Sequence, residues 1–259
     1  MNVRKFDGKG ENYSKYRPTY PKEFIDYINS IDGLDDKSII ADIGSGTGIL
    51  SKQLLGIGKS IIAVEPNADM RRFAESILGN FENFISVNAT AENTTLCDRS
   101  VDLITVAQAF HWFDKDKFKE ECKRILKPGG KVILVWNTRV LSDESMVEYE
   151  KIIRQYCPDF EGFSGRKCSS LYNEIGVEGE DEFKMFFEGT YEEKSYQNDQ
   201  INSLERFIGG ALSASYAPNE NDDIYTAFVT DLKACFNKYA VNESMVMPFI
   251  TKSYFGSVK

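Results

Sequence analysis

The stretch ADIGSGTG at residues 41–48 sets an acid two positions before the first of three alternating glycines, in the spacing DxGxGxG. Glycine carries no Cβ, so a loop of this kind turns sharply and lets a ligand lie against bare backbone. A second acid, Glu65, closes the apolar run SIIAVEP, 21 residues after Gly44. At that distance, with each acid ending its own strand, a carboxylate accepts hydrogen bonds from both hydroxyls of an adenosine ribose. Met70 follows within reach of an adenine face. The dinucleotide spacing GxGxxG fails, because the sixth position from Gly44 is Ile49, and the Lys-Ser/Thr pair of a P-loop is missing. Asp42, Gly44, Gly46, Gly48, Glu65 and Met70 therefore suit an adenosine ligand without a pyrophosphate. A tight strand-helix turn with an incidental acid is the simpler alternative; the agreement of strand, glycines, helix and acid in order and distance favours the ligand.

The chain has one histidine, His111, in AQAFHWFD (107–114), directly after the apolar run VDLITV. A lone imidazole there can serve as a base, shape a pocket or simply pack, and its identity alone leaves all three open. Arg17 in YSKYRP and Arg139 in VWNTR carry guanidinium forks suited to carboxylates, although either can be a solvated surface charge. Ser215 and Tyr216, in SASYAP, fit a polar roof and ordinary helix capping equally well. Five cysteines (Cys97, Cys122, Cys157, Cys168, Cys235) are scattered without a CxxC pair. Neither a metal site nor a disulfide framework is expected from them.

The elements that must position these residues alternate. PKEFIDYINSI (21–31) has a helical apolar face, with Pro21 in the first turn. SIIADIG (38–44) reads as a strand, ILSKQLLG as a helix that Gly56 stops, and SIIAVEP (60–66) as the next strand. NADMRRFAESILGN follows as a helix with Met70, Phe73 and Ile77 in register. FISV, VDLITV and KVILVW are further strands, and Asp114 can cap a helix before the last of them. Apolar strands separated by helices imply a doubly wound α/β domain with a mostly parallel sheet, its ligand crevice beyond the strands' carboxyl ends. Further on, 143–175 reads as helical and FKMFFEGTYEEKSYQ (183–197) as strand. Two more helical stretches precede VMPFITKSYFGSV (246–258), a closing strand. These late elements complete the sheet and roof the crevice.

With 259 residues, a net charge of -9 and a pI near 4.9, the chain can bury a full core, and its overall field repels phosphate backbones. A nucleic-acid partner is not expected. No apolar run approaches the length of a membrane span, and MNVRKFDGKGENYSKY lacks the apolar region of a secretory signal, so a cytoplasmic protein is expected.

The glycine loop at 42–48 and the acid at Glu65 resemble those of class I S-adenosylmethionine-dependent methyltransferases. TAENTTL (90–96) resembles the segment that meets adenine in that family, where Thr90 stands in place of a common acid, and RILKPGG (124–130) resembles its turn into the fifth strand. YSKYRPTYP, AQAFHWFD, VWNTR and LSASYAP together resemble a small-molecule subgroup that includes trans-aconitate methyltransferases.

The resemblance implies a Rossmann-like seven-stranded sheet with an antiparallel last strand and helical cap elements, in one domain over 1–259. It divides this into a segment closing over the cofactor (1–34), a cofactor-binding core (35–140), and the remaining strands plus cap (141–259). It implies cofactor contacts from Tyr13, Arg17, Thr90, Ala91, Glu92 and Gln108 beside the loop residues. It places Gln108, His111 and Trp112 at the transfer site, and Tyr16, Arg139, Ser215 and Tyr216 toward the acceptor. The implied activity is methyl transfer from S-adenosylmethionine to a small molecule, at a carboxylate or hydroxyl oxygen, by a monomer or small homo-oligomer without metal. A cofactor-binding interaction protein and a nicotinamide-dependent oxidoreductase are the alternatives.

Overall fold

The computed structural model describes residues 15–57, 59–160, 162, 178–214 and 216–258, with backbone alone at 178–181. Helix α1 (Lys22–Asn29) follows Pro21, which sits at its cap, one position earlier than the sequence suggests. Then come β1 (Ile39–Ile43), α2 (Ile49–Leu55), β2 (Ser60–Val64), α3 (Ala68–Leu78), β3 (Phe84–Val87) and β4 (Val101–Ala107). Next are α4 (Lys115–Ile125), β5 (Leu126–Arg139), α5 (Glu144–Tyr156), α6 (Glu178–Phe186), β6 (Tyr191–Gln197) and β7 (Gln200–Asn202). The last four are α7 (Leu204–Leu212), α8 (Tyr225–Tyr239), β8 (Met245–Met247) and β9 (Phe249–Gly256).

Seven strands form one sheet in the order β3-β2-β1-β4-β5-β9-β6. β9 runs antiparallel to both its neighbours, and the other pairs are parallel. The order reverses between β1 and β4, which opens a crevice where their carboxyl ends diverge. Along β5, Ile133 and Val135 face one core with Phe24, Ile28, Leu50, Leu54 and Leu78 from α1, α2 and α3. Val132, Leu134 and Trp136 face the other, with Phe110, Phe118, Ile125, Phe183 and Phe186. This period of two, with both faces covered by helices, explains why the strands read as apolar throughout. A third cluster joins α5, α7 and α8 around Tyr149, Phe207, Phe228 and Phe236 and reaches Phe249, at the start of β9. It forms a cap beside the carboxyl end of β5.

Three expectations are corrected. Phe183, Phe186 and Phe187 do not open a strand: their spacing of three and four places them on one face of α6 and its end, buried against the sheet. The closing strand is split at Pro248, with β8 pairing with β7 in a separate two-stranded sheet and β9 joining the main one. On α3 the buried stripe is Met70, Ala74 and Leu78, while Ile77 is exposed. Of the helical stretch expected over 143–175, α5 is present and 163–177 lies outside the described residues. Among the described residues no helix is long and apolar enough to cross a membrane.

Candidate active site

The glycine loop leaves β1 pinned to its neighbour, because the Gly44 and Ser45 amides both donate to the Val64 carbonyl at 2.8 and 3.2 Å. Gly44 and Gly48 have φ of +68° and +79°, and a Cβ on either would stand 2.7 Å from a side-chain carbon, of Ala109 and Leu78 respectively. Gly46 differs. Its Cβ would meet only the Met70 sulfur, at 3.5 Å, so its backbone is the bare surface of the turn. The Gly46 amide donates to Glu65 Oε2 at 2.9 Å and the Asn67 amide to Oε1 at 2.7 Å. Two amides thus aim the Glu65 carboxylate across the ends of β1 and β2, and each oxygen keeps a lone pair for a further donor. Burial pushes the Glu65 carboxyl up, and the Asn67 and Gly46 amides and Arg71 oppose it. Met70 is buried beside this bracket, on a helix whose start is capped by Asn67 Oδ1 accepting from the Asp69 and Met70 amides at 3.0 Å.

Asp42 is placed behind the loop, with no solvent exposure. Its Oδ2 accepts from Ser51 Oγ at 2.6 Å and its Oδ1 from Thr105 Oγ1 at 2.9 Å. Both oxygens are therefore engaged inside the protein, where they tie β1 to α2 and β4. Burial pushes its carboxyl up to about 6 against the pull of those hydroxyls. Beyond β3, Thr90 is exposed and bridges to Asn93, and Ala91 is buried in the core. Glu92 accepts from the Asp114 amide at 3.0 Å, which joins this segment to the turn after β4.

That turn begins at Gln108, whose φ of +58° is unusual for a residue with a side chain. Its amide donates to the Val135 carbonyl at 2.9 Å and its Nε2 to the Asn137 carbonyl at 3.2 Å, both on β5. A single 3-10 turn, Phe110–Trp112, follows. Phe110 anchors it among the rings of Phe113, Phe118, Trp136, Phe183 and Phe186. His111 and Trp112 stay half-buried, their rings 4.9 Å apart. His111 Nδ1 is buried and has no hydrogen-bond partner among the described residues. Burial, with Lys115 adding to it, pushes the imidazole down to about 4. The ring is neutral at neutral pH and a poor base.

On the cap side, Tyr16, Arg17, Arg139, Tyr149, Gln200 and Arg206 line one narrow cavity of about 30 Å³. The Arg139 guanidinium lies over the Phe249 and Tyr149 rings, 5.0 and 5.7 Å from their centres. Tyr216 packs against Phe160, 4.9 Å between ring centres, and its hydroxyl feels Arg139 and Arg17. The structure thus brings Tyr16, Arg17, Arg139 and Tyr216 into one neighbourhood. Tyr13 and Ser215 lie outside the described residues. Sequence reasoning did not assign Ser51, Asn67, Thr105, Arg206 or Asn137. Asn67 alone carried a local signal, as a cap before ADMRRF; the others depend on which elements pack together.

Residues 41–134 match a family described as a methyltransferase domain. A methyltransferase-like protein of Schizosaccharomyces pombe, uncharacterized, is 33% identical over 173 residues, 66% of each chain. A malonyl-[acyl-carrier protein] O-methyltransferase of a Marinomonas strain is 32% identical over 155 residues, 58% of this chain and 54% of its own. The chain spans about half to two thirds of the length of the curated relatives it matches. Among solved structures, a protein provisionally described as a type II methyltransferase, from Anaeromyxobacter dehalogenans, superposes with a TM-score of 0.67 at 19% identity. That superposition covers 94% of this chain and 98% of the other. The sheet order, the glycine loop bracketed to Glu65 and the matched segment agree: this chain carries a class I, S-adenosylmethionine-dependent methyltransferase domain.

Proposed function

We propose that the protein transfers a methyl group from S-adenosylmethionine to an oxygen of a small acidic molecule. One observation carries the cofactor half: Gly46 presents bare backbone beside Met70, and its amide holds a Glu65 carboxylate that still has acceptor capacity. This fits a ribose edge and an adenine face, and leaves no extended glycine turn for a pyrophosphate. Asp42 shapes the seat from behind, with Thr90, Ala91 and Glu92 at its adenine side. When bound, the cofactor supplies a sulfonium-activated methyl group, so the protein's task is alignment.

The acceptor half follows from His111. A hydroxyl acceptor needs a base to take its proton, and an imidazole held near 4 serves that purpose poorly at neutral pH. A carboxylate, with a pKa of about 4, is already ionised and needs none. His111, Trp112 and Gln108 then shape and desolvate the transfer site. The arginines of the cap cavity give an anionic acceptor its counter-charge, with Tyr16 and Tyr216 beside them. The Marinomonas relative, named as an O-methyltransferase, is consistent with an oxygen acceptor. We place the chain with the small-molecule subgroup resembling trans-aconitate methyltransferases, as a cytoplasmic monomer or small homo-oligomer, with residues 15–20 closing over the crevice.

The test is incubation with methyl-labelled S-adenosylmethionine and a panel of small acids, phenols and amines. Label should enter acids as base-labile esters. Transfer only to amines or phenols would overturn the acceptor assignment. Binding of the cofactor without transfer to any acceptor would favour the interaction-protein alternative, and quenching of NADH fluorescence the oxidoreductase.

A further inference from the structure

We infer that Asn137, third from the end of β5, is a positioning residue that latches the segment 15–20 over the crevice and ties it to the transfer wall. The inference rests on the reading above for its kinetic test only. The Asn137 side-chain amide donates to the carbonyls of Thr19 and Pro18, at 3.2 and 3.4 Å. Its Oδ1 accepts from Thr251 Oγ1 at 2.6 Å and from Asn198 Nδ2 at 3.1 Å. Backbone carbonyls accept only, so Nδ2 must face the segment and Oδ1 the sheet. The main chain of the same residue holds the other side, its carbonyl taking the Gln108 Nε2 hydrogen bond. Asn137 thus joins the cap segment, the end of β4, β9 and the link between β6 and β7.

The surroundings make this latch directional. Asn198 Nδ2 also donates to the Thr19 carbonyl, at 2.8 Å, and Gln200 Nε2 donates to Asn198 Oδ1 at 3.0 Å. Gln108, Asn137, Asn198 and Gln200 therefore form a row of amides from the transfer wall to the arginine cavity, which Gln200 lines. Asn198 and Thr251 are buried, which shields their bonds to Asn137 Oδ1 from water, while Thr19 is exposed. The segment is held at two further points. The Tyr20 amide and carbonyl pair with the Gln53 side chain at 2.9 and 2.7 Å. The Tyr16 ring lies so close to α7 that a Cβ on Gly209 would come 2.4 Å from it. Arg17 and Pro18, which line the acceptor cavity, lie between these anchors, and Asn137 grips the middle of the span.

Asn137→Asp tests this cleanly. It replaces the donor that faces Pro18 and Thr19 with a repelling oxygen, keeps the acceptor for Thr251 and Asn198, and leaves the backbone carbonyl for Gln108. Two measurements apply: hydrogen exchange of residues 15–20 in the free protein, and kcat and KM with the best acceptor. The expected result is faster exchange in the segment, a rise of about tenfold or more in KM, and a kcat within about twofold of wild type, the pattern of lost uniform binding. Thr251→Val should show the same in weaker form, and Thr251→Ser, which keeps the hydroxyl, should restore wild-type values. Unchanged exchange and KM in Asn137→Asp overturns the inference, as does a fall in kcat alone. If Asn137→Asp does not fold, wild-type behaviour of Thr251→Val overturns it. If the wild-type protein shows no methyl transfer, the functional reading fails, and exchange alone decides whether Asn137 latches the segment.

Discussion

Because His111 is the chain's one histidine, its titration can be followed without assignment by proton NMR. Half-burial beside Trp112 and the charge of Lys115 hold the ring near 4, against an ordinary value of 6.5. That displacement favours the neutral ring by about 3 kcal/mol. The sign follows from proton uptake. Between 6.5 and 4 the unfolded chain binds a proton that the native state refuses, so the native state loses this stability as pH falls through that window. Asp42 acts in the opposite sense. Its buried carboxyl titrates near 6 instead of 3.8, so the native state holds the proton longer, and stability from this group is lost as pH rises through about 4 to 6.

The two slopes largely cancel in the wild-type protein between pH 4 and 6, and single variants should separate them. His111→Gln should leave a protein that gains stability on acidification, and Asp42→Asn one that loses it, each by up to about 3 kcal/mol across the window. Urea unfolding at pH 4.5, 5.5 and 7 would measure this. A His111 signal titrating near 6.5 would refute the burial argument and restore the imidazole as a base.

Other outcomes follow from the same geometry. Glu65→Gln keeps one acceptor for ribose and loses the charge, which should weaken S-adenosylmethionine binding by about 1.5–3 kcal/mol, some 10- to 150-fold, in titration calorimetry; an unchanged Kd would remove the ribose assignment. Gly46→Ala, at a φ of +57°, should cost about 1 kcal/mol of stability yet still fold, since only the Met70 sulfur is near, and should lose cofactor affinity at least tenfold in the same titration. Gly44→Ala should lose about 2 kcal/mol or more of stability through its clash with Ala109 and its positive φ, read as a lowered unfolding midpoint. Arg139→Gln should raise KM for an acidic acceptor by about 10- to 100-fold and leave S-adenosylmethionine affinity within about twofold of wild type; a neutral acceptor should not register the change.

Much of this protein is legible in its residue order. Apolar runs alternating with helical stretches specify the doubly wound sheet, because a strand buried on both faces must be apolar at every position. The glycines at 44, 46 and 48 and the acid at 65 are local signals, since positive φ and strand-end position depend on neighbours a few residues away. Helix α6 was equally local: its phenylalanines carried the helical spacing, although their β-forming character suggested a strand. Other features depend on contacts between distant elements. Asp42 reads as a crevice acid from its place beside the glycines, yet Ser51 and Thr105 enclose it, 9 and 63 residues away. The imidazole of His111 has an ordinary identity, and only its burial in the fold, with Lys115 nearby, makes it a poor base. The joining of Pro18, Gln108, Asn198 and Thr251 through Asn137 spans most of the chain. Hydrogen bonds between groups so far apart arise only when the sheet brings β5, β9 and the cap together, and no spacing along the chain encodes them.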